Sequence, residues 1–565
     1  MSDSQPRCPP AGTAGETVEG LFRRLEQLNE IGTALSQEKN LDGLLEKILL
    51  AAKTITQADG GTLYLRTPDQ RLSFAIMRTD SLGIALGGTT GNPVPFYPIH
   101  LKNQDGQPNY QMVAAYAALT GQTVNIADAY TEAGFDFSGT RNFDRKSGYR
   151  SKSFLTVPMK NHEGEIIGVL QLINRMQPQS GGISSFSEAD QRLAESLASQ
   201  AAIAITNRQL IDQLERLFES FIGLINMAID EKSPYTGGHC QRVPELTMLL
   251  AEAVNETDTG AFADFSMSEK DRYELRIAGL LHDCGKITTP VHVVDKATKL
   301  QTIFDRINLI DTRFEVVKRD VRIEALEEKL ALAADTRLSD MDRRERIFQI
   351  DKRLRERLRH CNDDRDFLRH CNVGSEAMSV ETQERVRMIG TAHHWVDPSG
   401  NTAKFLTDDE VANLNIARGT LTPAEREIIN HHIVATIRML EALPWPKHLT
   451  NVPEYAGGHH ERMDGRGYPR GLNRDQMSVQ ARVMGIADIF EALTARDRPY
   501  KRGKTLSESL EILGRFKESG HIDPDLFDVF IRKKVYLRYA SQFLDAEQID
   551  DIDETRIPGF GGGTS

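Results

Sequence analysis

The sequence predicts a multidomain chain. An α+β domain with an antiparallel sheet and helices fills the N-terminal half, a connecting helix follows, and the C-terminal half is an all-α domain with a long helical insertion. Three observations carry this reading. Strand-like runs (GTLYL, SFLTVPMK, EIIGVLQLI) lie between helical stretches in the first half. A heptad seam then continues without a breaker. Beyond Pro234 the apolar spacing stays helical to about Asp545, interrupted by a densely charged stretch. At 565 residues the chain is long enough for two or three domains, each with its own core.

Taken in order, residues 1–20 are rich in Pro, Gly, Ser and Thr and read as a disordered leader. The α+β domain is expected over 21–200, with helical spacing over 21–56 and a hairpin at the HEGE turn between the last two strand runs. A connecting helix is expected over 201–232. Its residues Ile203, Asn207, Leu210, Leu214, Leu217, Phe221 and Leu224 alternate at spacings of four and three. One polar member in such a seam fixes register in a parallel coiled coil, so a homodimer is expected; the alternative is a helix packed on its own domain. The helical domain is expected over 233–545, with its charged insertion at about 315–415, and a flexible tail over 546–565.

Composition narrows the function classes. With 39% hydrophobic and 27% charged residues the chain is an ordinary globular sequence rather than a disordered or membrane-embedded one. No apolar run approaches the roughly 18 residues of a membrane span, and the N-terminus lacks a signal-peptide core. Five scattered cysteines do not form a disulfide framework, so a cytoplasmic location is expected. The net charge of −12, from 69 basic and 81 acidic residues, argues against DNA or RNA as a partner. An anionic substrate would have to be held by metals or by a few local cations.

The C-terminal half contains an ordered series of potential metal ligands. His239 lies in YTGGHCQRV, His282 and Asp283 in LHDCGK, His432 in INHHIVAT, His459 and His460 in GGHHERMDGRGYP, and Asp488 in RVMGIADIF. Neutral imidazoles with carboxylates suit Fe, Mn, Ni or Zn better than Mg or Ca, whose shells are built from oxygen. A carboxylate beside a histidine, as in His282–Asp283, can bridge two metals. Any one of these histidines alone is more often packed or solvated; the ordered combination points to a metal site. Two cations close together can generate hydroxide at neutral pH and polarise phosphoryl oxygens. Lys286, four residues after His282, is expected on the same helix face within reach of a phosphate. The HCN tripeptides at His360 and His370 are ten apart, which does not bring them together on one helix turn, so they are read as surface features.

HDCGK, HHERMDGRGYPRGL and IADIFEALTARDRPYK together resemble the HD-GYP branch of the HD-domain phosphohydrolases, over about residues 225–501. The resemblance implies hydrolysis of cyclic di-GMP to pGpG and onward to GMP. Another cyclic dinucleotide such as 3',3'-cGAMP is the alternative substrate, and a signalling scaffold with weak or no turnover the alternative role. It implies His239, His282, Asp283, His432, His459, His460 and Asp488 as metal ligands for two divalent transition metals, Fe or Mn first, with Ni or Zn also compatible. His432 is chosen over His431 because the family histidine lies four residues before a small residue, here Thr436. Asp283 and Lys286 are the implied catalytic residues, and Lys286, Tyr468, Arg498 and Lys501 the implied substrate contacts. A GGDEF-type protein is an implied partner. Some relatives bind a third metal through a Glu four residues before the first histidine; here that position is Tyr235.

NIADAY, SGYRSKSFLTVPM and GVLQLINR, leading to FSEAD, make the first half similar to a GAF domain, a small-molecule-binding regulatory fold. Cyclic-nucleotide-binding members share Asn-Lys, then Phe, three residues, and Asp-Glu. Asn174, Phe186 and Asp190 match, while Arg175 and Gln191 replace Lys and Glu. The resemblance implies a small-molecule or cyclic-nucleotide ligand at Asn174, Arg175, Phe186 and Asp190.

Overall fold

The computed structural model describes residues 30–35, 37–38, 40–177, 180–232, 238–374, 377–496 and 503–561. The expected leader over 1–20, Tyr235, Arg498 and Lys501 lie outside the described residues. The chain divides into two compact units between Phe218 and Glu219.

In the first unit, helix α1 (Leu41–Thr56) is capped by the Asn40 side chain, which accepts hydrogen bonds from Asp42 and Gly43 N–H. Strands β1 (Ala58–Arg66), β2 (Arg71–Thr79), β3 (Ile84–Gly87), β4 (Ile99–His100), β5 (Val124–Ile126), β6 (Phe154–Lys160), β7 (Ile166–Met176) and β8 (Ile183–Ser184) form one antiparallel sheet. Its order is β3-β2-β1-β7-β6-β5, with β4 on β2 and β8 on β7. The β6–β7 pair closes through the HEGE turn, in the register Phe154↔Ile173. Because strand side chains alternate, Leu63, Leu170 and Leu172 pack with α1 on one face. Their neighbours Tyr64 and Val169 pack on the other, against α2 (Val113–Thr120). Helix α3 (Ser138–Ser147) precedes β6.

Helix α4 (Glu188–Lys232) begins well before residue 201, because Leu197, Ala201 and Ile205 still belong to the sheet's core. Farther along, the seam is bare: Leu214, Leu217, Phe221 and Leu224 are each more than half exposed.

The second unit is mainly helical. The site is framed by α5 (His239–Asn255), α6 (Glu269–Leu281), α9 (Pro423–Glu441), α10 (Val452–Gly457) and α11 (Val479–Thr494). Between α6 and α9, helices α7 (Ile307–Ala334) and α8 (Asp340–Asn372) pair as a hairpin with a small core of their own around Phe314, Leu368 and Phe405. This segment also holds a two-stranded sheet, His394–Val396 with Thr402–Lys404, which the all-α expectation lacked. His360 and His370 are exposed, whereas the adjoining Cys361 and Cys371 enter the small core. The insertion is pinned at its base. Buried Lys296 reaches both Glu425 oxygens at 2.8 Å and Asn413 Oδ1 at 3.1 Å, and buried Lys299 donates to Leu414 O at 3.0 Å. These contacts deliver α9 to the site despite the long excursion.

The tail expected to be flexible from residue 546 differs from that reading through residue 561. Gln548 Nε2 donates to Thr494 O and Lys504 O, Tyr536 bonds Glu554, and Ile557 is buried. Buried apolar and amide groups outweigh the glycine-rich composition there.

Candidate metal centre

Two glycines make the close approaches on which the centre depends. A Cβ on Gly279 would stand 3.2 Å from Pro244 Cα, so the bare backbone lets α5 and α6 cross tightly. The rings of His239 and His282 then lie 5.2 Å apart. A Cβ on Gly285 would meet His432 O at 2.0 Å, and Gly285 N–H donates to Thr436 Oγ1 at 2.9 Å. Thr436 therefore holds the HDCGK segment against α9, one turn along from His432. His432 is buried and faces the cluster; His431 is exposed.

Around Asp283 the side chains converge. Asp283 Oδ2 lies 3.0 Å from His239 Nε2 and 3.2 Å from His282 Nε2, while Oδ1 lies 3.2 Å from His432 Nε2. His460 Nε2 is 3.2 Å from His432 Nε2, and the His459 and His460 ring centres are 4.1 Å apart. Asp488 Oδ1 lies 3.3 Å from His239 Nε2. Two donor groups result, His239–His282–Asp283 and His432–His459–His460, each with ligand atoms within 4.8 Å of one another. Asp283 sits between them, one oxygen toward each.

The donor chemistry fits divalent metals. His282, His432 and His459 each turn Nδ1 toward the carbonyl three residues back, at Gly279 (2.7 Å), Ile429 (2.5 Å) and Ala456 (2.7 Å). A proton on Nδ1 leaves Nε2 as a lone-pair donor, the tautomer a metal requires. His459 Nε2 and Asp283 Oδ1 are buried without a hydrogen-bond partner, a costly state that a cation relieves. Burial, reinforced by His460, holds His459 well below the ordinary imidazole range, and burial brings His460 down to about 4. Burial opposes ionisation of Asp283 and Asp488. Lys286 and His282 outweigh it at Asp283, and His239 does so at Asp488, so both stay well below the usual carboxylate range. His459 and His460 are thus neutral imidazoles beside two carboxylates, whereas at His239 burial is outweighed by Glu491, Asp283 and Asp488, which hold that ring well above the ordinary imidazole range until a metal displaces the proton.

Lys286 reaches the site by a route other than the helical one expected. Helix α6 ends at Leu281, and Cys284–Thr288 is a 3-10 turn. In that tighter winding residues three apart are eclipsed, and Lys286 Nζ lies 2.5 Å from Asp283 Oδ2. Tyr468 stacks on His460, with ring centres 4.9 Å apart and an interplanar angle of 26°. Sequence reasoning missed Glu491. It is fully buried, accepts from His239 Nδ1 at 2.5 Å and from Arg242 Nε at 2.8 Å, and stands one helical turn from Asp488. That i, i+3 spacing from a ligand was the available signal.

In the first unit, the four residues expected to hold a ligand are engaged elsewhere. Asn174 accepts from Lys152 N at 2.7 Å and donates to Arg150 O at 2.8 Å. Arg175 Nε pairs with Asp190 Oδ2 at 2.7 Å, and Asp190 also accepts from Ser187 N at 2.9 Å. Phe186 is part of the core. None of the four lines the cavity enclosed by Phe74, Phe137 and Phe154. Their polar atoms are consumed in clamping loops to the sheet and to α4.

Family models bear on both units. Residues 40–205 match the GAF domain, and residues 236–350 and 401–526 each match an HD domain model. The chain joins a GAF domain to an HD domain. The interval between the two HD matches falls within the insertion, and the seven converging residues divide between them, His239, His282 and Asp283 before it and the rest after. The 3'3'-cGAMP-specific phosphodiesterase 1 of Vibrio cholerae is 32% identical over 155 residues, 27% of this chain and 33% of that protein. A cyclic di-GMP phosphodiesterase of Thermotoga maritima is 27% identical over 241 residues, 39% of this chain and 64% of that protein. A cyclic di-GMP phosphodiesterase of Pseudomonas aeruginosa is 36% identical over 114 residues, 20% of this chain and 26% of that protein. The chain therefore spans less than two thirds of each of these relatives. Among the described residues no helix is long and apolar enough to cross a membrane.

Proposed function

We propose that the chain is a cytoplasmic, two-metal phosphodiesterase that hydrolyses cyclic di-GMP to pGpG and onward to GMP, regulated by its GAF domain. The observation that carries this reading is Asp283, with one oxygen facing His239 and His282 and the other facing His432. His239, His282 and Asp488 would hold one ion, His432, His459 and His460 the other, with Asp283 shared; Fe or Mn suits these donors, as do Ni and Zn. When bound, such ions supply water activation and neutralise charge at phosphorus.

The chain's own residues provide the rest. Lys286 keeps its proton beside Asp283 and Asp488 and offers a cation to a phosphate oxygen once a substrate draws it from Asp283. Tyr468, stacked on His460, offers its other ring face to a purine. Arg498 and Lys501 are proposed as further phosphate contacts. Exposed seam residues of α4 support a homodimer, and a GGDEF-type protein is the further partner class that the HD-GYP resemblance adds.

The second reading is hydrolysis of 3',3'-cGAMP, the specificity named for the Vibrio cholerae relative. The test is turnover by Mn- or Fe-loaded protein with both dinucleotides in competition. Preferential conversion of cyclic di-GMP supports the first reading and preference for the hybrid supports the second. Intact substrates with metal-loaded protein overturn both.

A further inference from the structure

The GAF domain holds an open-mouthed cavity of about 360 Å³ that the expected ligand residues do not line. Its size lies at the small end of the roughly 300–1,000 Å³ of small-molecule sites, room for one or two fused rings. The walls are aromatic: Phe74, Phe96, Phe137, Phe143, Tyr149 and Phe154 all line it. Three of its polar lining side chains, Tyr64, Gln171 and Tyr149, already bond within the protein. Tyr64 Oη donates to Gln171 Oε1 at 3.1 Å, Gln171 Nε2 donates to Thr156 Oγ1 at 3.1 Å, and Tyr149 Oη donates to Asp59 Oδ2 at 2.6 Å. Aromatic walls of this kind recognise a ring face.

Charge decides the class of ring. Among the described residues no Lys, Arg or His lines the cavity, and the charged residue that does is Asp136, exposed beside Gly139 and Thr140. Asp136 accepts from Ser138 N–H at 2.8 Å, which favours its ionised form. A phosphate entering past this carboxylate would meet like charge, and the cation Asp136 feels, Arg141, stands outside the lining and over the Tyr130 ring.

We infer that this cavity binds a small planar aromatic molecule that is uncharged or cationic, with its positive group at Asp136, and that it excludes phosphate-bearing nucleotides. The inference stands apart from the chemistry of the HD domain and holds whichever dinucleotide that domain hydrolyses.

The test uses one ring with three charges. Indole, tryptamine and indole-3-acetate are titrated into the full chain by calorimetry, with cyclic GMP alongside. Saturable binding is expected in the order tryptamine, indole, indole-3-acetate, with tryptamine favoured over indole by about two- to fivefold, the range of an exposed ion pair. Asp136→Asn should remove that preference while indole binding persists. Gly139→Phe should weaken indole and tryptamine binding together; a Cβ there meets nothing within 4 Å, so the backbone position has room for a side chain to begin. An unchanged thermal transition for both variants ties the losses to the cavity. Cyclic GMP binding that Gly139→Phe abolishes, tighter binding of indole-3-acetate than of tryptamine, or no saturable indole binding would each overturn the inference.

Discussion

Glu491, wholly buried, lies 2.5 Å from His239 Nδ1 and so fixes which nitrogen of that ring faces Asp283. Burial disfavours its charge, but His239 and Arg242 hold its carboxyl down to about 2, so the oxygen accepts and Nδ1 donates. Such an orienting partner typically contributes 10–100-fold in metal affinity. Glu491→Gln should therefore weaken metal binding by about that factor while the helical content stays constant. Metal content after dialysis against graded chelator reads this directly; unchanged retention would leave Glu491 a packing residue.

Asp283 and Lys286 should separate metal loading from turnover. Asp283→Ala removes the carboxylate shared by both donor groups, and is expected to lower metal stoichiometry and abolish hydrolysis. Lys286→Met leaves every proposed ligand in place, so it should retain metal while kcat falls by roughly 10²–10³, the usual cost of one charge-stabilising donor. Equal metal loss in both variants would move Lys286 from substrate contact to site assembly.

Gly285 tests whether close backbone approach builds the centre. With a Cβ only 2.0 Å from His432 O, Gly285→Ala must push the 3-10 turn off α9. Overpacking of this kind costs about 1–3 kcal/mol. The HD domain's denaturation midpoint should fall accordingly, with metal retention impaired in the same variant.

Arg175 and Asp190 were expected to contact a ligand and instead pair with each other at 2.7 Å. Arg175→Met leaves Asp190 buried with only its Ser187 contacts, a loss of about 1–3 kcal/mol for a charge-assisted bond. The GAF domain should unfold at lower denaturant, and indole binding measured below that transition should be unchanged. Selective loss of binding at full stability would restore these residues to a ligand site.

The exposed seam of α4 makes a prediction about association. Leu214→Glu with Leu217→Glu should yield a monomer by light scattering if two copies meet along it, since both side chains are more than half exposed. Inserting two residues after Leu214 turns the seam by about 200° and should alter dimerisation or its effect on turnover. Unaltered association in both variants would assign the seam to some other contact.

Much of this architecture was legible from the amino-acid order alone. The apolar run EIIGVLQLI predicts a strand, and the structure packs its Leu170 and Val169 on opposite sides of the sheet. The His/Asp series likewise names its members, because imidazoles beside carboxylates have few reasons to recur in that order. These are local properties, set by side-chain periodicity and donor chemistry. What residues far apart do together depends on backbone approach, and only the tertiary structure decided it. Asp283 meets His432 across the insertion because Gly285 admits the α9 backbone and Lys296 and Lys299 anchor the insertion's base. Glu491 became an orienting carboxylate only when α5 placed His239 against it. Asn174 and Asp190, which match a motif in the sequence, and Arg175, which departs from it, spend their polar atoms on the fold, since a buried charge takes the partner that folding brings within reach.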